Sequence, residues 1–141
     1  MRALAVLLFL LGIVMLLKPG ITIQKDANVS MAAMNFAVYR NAVFRYVYAH
    51  RDHRGSVPQD ALSLPANWRP VRDWKARVEN GLCAVYGPAS HQEVDAVRVL
   101  FDQSYAIGMA IGGHLLPQLG NPISVPSFVP ERSLVSLTEV E

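Results

Sequence analysis

The chain has 141 residues, of which 52% are hydrophobic and 17% are charged, and its formal net charge is +2. This length provides for one modest domain with a small core, and so small a net charge excludes the strongly basic surface of a typical nucleic-acid-binding domain. The single cysteine, Cys83, excludes an intramolecular disulfide, so we expect a small buried thiol in a fold that depends on packing.

The first 18 residues predict a membrane-inserting segment, because positions 3–17 are all apolar or glycine. The run is slightly short for the roughly 17–25 residues that span a bilayer, but no pair of small residues follows it as a signal-peptidase site requires. We therefore expect a retained anchor with the body outside the cytoplasm, and keep a cleaved signal peptide as the alternative. The side chains expected in the membrane are those of Ala3, Leu4, Val6, Leu7, Leu8, Phe9, Leu10, Leu11, Ile13, Val14, Leu16 and Leu17.

Residues 19–27 are interpreted as a juncture, since Pro19 and Gly20 are expected to break the first helix. Asn28 or Ser30 can cap a second helix that runs to about His50. Its apolar positions recur at helical spacing, which indicates a buried, aromatic-rich face within the domain's own core. That predicted stripe contains Ala32, Phe36, Tyr39, Val43, Tyr46 and Val47, and Met34, Phe44 and Tyr48 widen it.

A proline-rich segment over 56–72 is expected to be irregular and to fold back onto the core. The alternating residues 73–79 predict a half-buried strand, and residues 82–86 predict its partner. Asn80 and Gly81 between them are the residues that a type I′ hairpin turn favours, because both tolerate a positive φ.

Ser90 and Glu93 have the spacing of a capping box and predict a further helix. We expect Val94 and Val97 on its buried side and Glu93 facing water. Residues 106–116 are expected to form a last strand, and the proline-containing tail over 117–141 to be extended or disordered. The predicted fold class is therefore α+β: an N-terminal anchor, then an α-β-β-α-β domain over 28–116 whose antiparallel sheet packs on helices.

The chain contains no constellation that supports catalysis. His50 and His53 lack a third and fourth metal ligand nearby in sequence, and the G-x-S-x-G motif of serine hydrolases is absent. We predict no catalytic, cofactor-binding or metal-binding residues and no small-molecule substrate. The tail does carry apolar residues that could add to a partner's sheet edge or lie on the domain itself, and the candidate partner-binding residues are Ile123, Val125, Phe128 and Val129.

Several short motifs resemble one known family across nearly the whole chain. They are N-F-x-x-Y-R-x-A-V at 35–43, L-P-x-x-W at 64–68, N-G-x-C-x-V-Y-G at 80–87, E-V-x-A-V at 93–97 and S-x-x-I-G at 104–108. Together with the apolar N-terminus they resemble PilM of the type IVb thin-pilus systems of conjugative plasmids.

The resemblance implies a non-enzymatic component of the pilus assembly machinery or its basal body, held in the bacterial inner membrane by one N-terminal span with its body in the periplasm. Its implied partners are other pilus assembly proteins and membrane lipid, with no nucleic acid, and its oligomeric state stays open. The alternatives are a minor pilin-like subunit, although a prepilin leader is missing around residues 3–17, and a small secreted periplasmic enzyme.

Overall fold

The computed structural model describes residues 19–115 and 121–140. The predicted anchor over 3–17 lies outside these residues. The two α-helices are α1 (Pro19–Ala49) and α2 (His91–Leu100), and a 3₁₀ turn covers Gln59–Ala61. The strands are β1 (Gly55–Ser56), β2 (Lys75–Glu79), β3 (Leu82–Pro88), β4 (Ile107–Ile111), β5 (His114–Leu115), β6 (Ile123–Ser124) and β7 (Ser133–Glu139).

The strands form one antiparallel sheet in the order β1-β2-β3-β7-β4-β5-β6. β7 lies in its interior, with Leu82–Pro88 paired along its whole length on one side and Ile107–Met109 paired on the other. A helix-plus-antiparallel-sheet fold was predicted, and in the described residues it is confirmed.

The two faces of the sheet are covered differently. Both helices pack on one face, where Cys83, Val85 and Leu134 join the inner side of α1 in the larger core. Ala84 and Val135 alternate onto the opposite face, where a smaller core lies. Residues of the irregular 125–129 segment pack against that smaller core, so both faces of β7 are buried.

The predicted juncture over 19–27 is helical, since α1 covers all of it and reaches Ala49. Proline is compatible with the first turn of a helix, and glycine lowers helix stability by only about 1 kcal/mol. Residues 24–28, of which four are polar, remain exposed there, so the polar side chains have no need to leave the helical path to reach water.

The hairpin and the second helix start as predicted. Asn80 and Gly81 both have positive φ, 52° and 76°, in the turn between β2 and β3. Ser90 and Glu93 form a complete capping box at the start of α2. The expectation that Glu93 faces water is wrong, because its carboxylate reaches back to the Ser90 N–H and pairs with Arg72 at 2.6 Å, which buries it.

The last part of the predicted tail is extended, as one of the two alternatives had it, but it forms an interior strand of the sheet instead of a separate tail. Residues 133–137 are all buried, and β7 pairs with two strands. The two serines and three apolar residues of this stretch have no single polar face, which is the pattern of a strand covered on both sides. Removal of residues 117–141 is therefore expected to unfold the domain, since it would delete an interior strand of the sheet.

Neither α-helix within residues 19–115 and 121–140 is both long enough and apolar enough to cross a membrane.

Candidate interaction surface on helix α1

The inner face of α1 is fixed by aromatic packing. Phe36 and Tyr39 are almost completely buried. The ring of Phe36 meets the edge of Trp74 at 5.0 Å between centroids, and Tyr39 stacks on Trp68 at 5.9 Å. The predicted buried stripe is thus confirmed at its centre, and Tyr39 belongs to the domain's own core as expected.

The outer face of α1 carries a second row of side chains, which we call the outer stripe. Met31, Met34 and Tyr48 are exposed by 54%, 56% and 57%. Met34 and Tyr48 were predicted to widen the buried stripe, and that assignment is wrong. The full outer stripe follows an alternating spacing of three and four residues: Met31, Met34, Val38, Asn41, Arg45 and Tyr48.

An open groove of about 620 Å³ lies beside the C-terminal half of the outer stripe. Five of its lining residues belong to α1, and Pro65 supplies the facing wall. The residues from α1 are Val38, Asn41, Phe44, Arg45 and Tyr48. Apolar groups surround one amide and one guanidinium, a composition that is common in protein-binding grooves.

Asn35 ties the segment after Pro65 to α1. Its amide nitrogen donates to the Arg69 carbonyl at 2.7 Å, and its Oδ1 accepts from the Val71 N–H at 3.1 Å and from Trp74 Nε1 at 2.7 Å. One side chain on α1 thereby fixes three groups of the segment after Pro65. The first residue of the motif N-F-x-x-Y-R at 35–40 therefore positions this segment.

Arg40 fixes the opposite side of α1. Its guanidinium lies between the rings of Phe44 and Phe101, 4.2 Å from each centroid, and its Nε donates to the Ser136 hydroxyl at 2.6 Å. Burial lowers the pKa of Arg40 from its ordinary value, while nearby Cys83 opposes that change. The side chain links α1 to the end of α2 and to β7, so the outer stripe is presented on a firmly held helix.

The structure shows the surroundings of His50, His53 and Cys83. The ring of His50 stacks on Tyr46 at 4.3 Å, and its Nδ1 lies 2.8 Å from the Tyr46 carbonyl. His53 approaches the Ser56 carbonyl at 3.1 Å. In the described ranges, no three His, Cys, Asp or Glu side chains gather as metal ligands would. Cys83 is fully buried, as expected, and burial raises the pKa of its thiol to about 11.

The four candidate partner-binding residues of the tail separate into two groups. Val125, Phe128 and Val129 pack on the domain's own sheet, with the Phe128 ring 5.8 Å from that of Tyr86. Ile123 lies on β6 and is 37% exposed. The interpretation in which the tail lies on its own domain therefore describes three of the four, and the structure does not test a partner role for Ile123.

The outer stripe was missed in the sequence because two apolar rows were merged into one. A single helix of this length contains both an inner and an outer row, and every member of each is visible in the sequence. The three–four alternation from Met31 to Tyr48 is the spacing of a helix–helix seam, but the inner row has the same alternation, so spacing alone does not separate the two rows.

Comparison with known proteins gives one family. A search of curated protein sequences finds no significant match. A crystal structure of PilM from Escherichia coli B7A superposes with a TM-score of 0.63 at 22% sequence identity, and the alignment covers 82% of this chain and 94% of that one. At this identity the likeness concerns the fold. The sequence profile of the PilM family matches residues 6–137, and the chain therefore belongs to the PilM family.

Proposed function

We propose that this protein is a non-enzymatic, membrane-anchored component of the type IVb pilus assembly machinery that works by binding another protein through the outer stripe of α1. The observation that carries the proposal is the exposure of Met31, Met34 and Tyr48 on one line of a rigid helix. Exposed apolar side chains that line up on one surface are typical of interaction sites.

The position of α1 in the chain supports a role in holding a partner near a membrane. The helix follows directly after the apolar segment 3–17, and its 31 residues extend over roughly 46 Å. We propose that the apolar segment stays attached in the bacterial inner membrane and that the sheet domain lies in the periplasm. The outer stripe would then be displayed above the membrane surface, where other pilus assembly proteins can reach it.

A minor pilin-like subunit is the second candidate. The feature that favours it is the unbroken course of α1 through residues 19–27 and onto an antiparallel sheet, since pilins combine an apolar N-terminal helix with a small α/β head. The two candidates predict different locations. A pilin-like subunit is recovered from sheared, purified pili, whereas an assembly component stays with the membrane fraction.

The test is complementation of a strain that lacks this gene with the full chain carrying Met34→Glu. The matched control is Val99→Glu, because Val99 is an equally apolar residue, 65% exposed, on α2. We expect Met34→Glu to abolish pili in electron micrographs while the abundance of the protein in membranes stays normal. Val99→Glu should leave piliation intact.

Normal piliation with Met34→Glu would refute the role of the outer stripe. The anchor is tested separately by N-terminal sequencing of the protein from washed membranes. A mature chain that starts after Lys18 and appears in the soluble extract would refute the tethered arrangement.

A further inference from the structure

The outer stripe and its groove together specify the chemistry of what they bind, and this inference rests on the proposed function. We propose that they bind an α-helix of a different protein, which packs its apolar side chains on Met31, Met34 and Val38 and presents a carboxylate to Arg45.

The shape of the surface favours a helix. Alternating spacings of three and four residues bring successive side chains of one helix to a common line, and a second helix matches that line when it crosses at a shallow angle. The line extends for 18 positions from Met31 to Tyr48. Pro65 borders it on one side, so an incoming helix has a wall to rest against as well as a seam to pack on.

The charges around the groove favour an acidic occupant. Arg45 is the charged residue of the groove lining, and it is exposed. Between Asp26 and Asp52 the sequence contains no acidic residue. The hydrogen bond from Arg45 Nη2 to the Ser63 carbonyl is long, 3.4 Å. A guanidinium has five N–H donors arranged to hold a carboxylate.

The same charges disfavour a second copy of this chain. Two copies tethered in one membrane by their N-termini would present α1 in parallel, so that Arg45 would face Arg45 across the seam. The stripe offers no carboxylate to relieve that repulsion. An antiparallel pair would place the two N-termini at opposite ends of the seam, which a common membrane does not allow for helices that rise from its surface.

Asn41 gives the groove a polar centre between Val38 and Arg45. One amide within an apolar helix–helix seam fixes the register of the two helices, because only one alignment satisfies it. A lipid bilayer presents no such fixed polar group. We therefore favour a protein helix over anionic lipid and treat lipid as an outcome of the test.

The experiment places the photo-crosslinking amino acid p-benzoylphenylalanine at position 38 of the full chain in piliated cells, with position 99 as the matched control. Crosslinked products are digested, and the captured segment is sequenced. We expect position 38, and not position 99, to capture a segment of another protein that has helical apolar spacing and an acidic residue. Capture of this same chain, of lipid alone, or of no protein would overturn the proposal.

The carboxylate is then tested by charge exchange. Arg45→Glu should lower crosslinking at position 38 by at least about tenfold, and Arg45→Lys by much less, since a charge is retained. In cells that carry Arg45→Glu, substitution of the acidic residue in the captured segment by lysine should restore crosslinking and piliation. Equal crosslinking by the Arg45→Glu and parent chains, or failure of the reversal to rescue, would overturn the carboxylate contact.

These results separate the two proposals. If Met34→Glu abolishes pili while Arg45→Glu leaves crosslinking and pili unchanged, the interaction role stands and the acidic helix is refuted. If neither change has an effect, both proposals are refuted.

Discussion

The inner and outer faces of α1 both carry apolar side chains, but in opposite surroundings. Phe36 and Tyr39 on the inner face have almost no exposed surface, whereas Met31, Met34 and Tyr48 on the outer face are more than half exposed. The apolar surface of the inner face is removed from water when the domain folds. The outer residues keep theirs exposed to water, and this is the surface that the proposed partner would cover.

The side-chain types also differ. The inner face has aromatic rings that interlock with Trp68 and Trp74 in defined orientations. The outer face has two methionines, whose unbranched side chains adapt to irregular surfaces and are common at protein-binding sites. A rigid inner face and an adaptable outer face on one helix are consistent with a structural role for the first and a binding role for the second.

The largest expected difference between the faces is in stability. Phe36→Ala should lower the free energy of unfolding by about 3–5 kcal/mol, because it leaves a cavity against Trp74. Met34→Ala should change it by no more than about 0.5 kcal/mol, since its site is exposed. Both values can be measured on the full chain in detergent by urea denaturation, with the fluorescence of the chain's two tryptophans as the signal.

A loss of several kcal/mol in Met34→Ala would contradict this comparison, because it would mean that the outer stripe is part of the domain's own core.

A substitution at the boundary between the two faces should have an intermediate effect on the free energy of unfolding. Asn35→Ala removes the partners of Trp74 Nε1, the Val71 N–H and the Arg69 carbonyl. Buried polar groups that lose their hydrogen bonds lower stability by about 1–3 kcal/mol. Because Asn35 holds the segment after Pro65, this variant should also weaken crosslinking from position 38.

Asn41→Ala is the control for Asn35→Ala, since it removes the same amide from the exposed stripe. It should leave urea denaturation unchanged within about 0.5 kcal/mol. If both alanine variants lost stability equally, the three hydrogen bonds of Asn35 would not be what holds the segment.

The parts of the fold that the sequence predicted are those with a local signal. The central residues of α1 follow a 3.6-residue period, the hairpin contains Asn80-Gly81, and α2 begins with a capping box. Each of these patterns is set by neighbours within about four positions. These elements build the face of the sheet on which both helices pack, and this part of the fold was therefore predicted well.

The parts that escaped prediction depend on distant contacts. β7 has its pairing partners about 50 residues upstream in β3 and about 28 upstream in β4, as in Ala84↔Leu137 and Ile107↔Ser136. Nothing close to it in sequence indicates that partner. Ser136 is fully buried on this strand, and Arg40, 96 residues away, donates to its hydroxyl.

The outer stripe was not predicted from the sequence for a different reason. All six residues of the outer stripe are plain in the sequence, but periodicity reports only that a position is apolar and helical. It does not report which of two apolar rows has the sheet beneath it. That choice is made by Trp68, Trp74 and β7, which lie far along the chain and cover the row that contains Phe36 and Tyr39.

A further expected effect is a loss of stability at alkaline pH that arises from Tyr39 on the inner face of α1 and from Cys83 on β3, in the same core. Burial raises the pKa of Tyr39 to about 12, with Tyr86 and Asp73 adding to the rise, and burial raises the pKa of the Cys83 thiol to about 11 against a smaller opposing effect of Arg40. In the unfolded chain a thiol ionises near pH 8.5 and a phenol near pH 10. As pH rises through this range the unfolded state loses protons that the folded state keeps, so the free energy of unfolding falls until the folded pKa values are reached.

We expect a decrease of a few kcal/mol between pH 8 and pH 11, on the order of 4 kcal/mol for the two groups together, beyond that of the background titration. The measurement is urea denaturation at pH 8, 9, 10 and 11 on the parent chain and on Tyr39→Phe, Cys83→Ala and the double variant. Each single substitution should weaken the dependence of the free energy of unfolding on pH. The double variant should show the weakest dependence, whatever the stability of these variants at pH 8. Tyr48→Phe, at a position of the outer stripe that is 57% exposed, is the matched control. A slope that depended on Tyr48 and not on Tyr39 would reverse the assignment of the two faces, since only a phenol that is shielded on folding can make stability depend on pH in this direction.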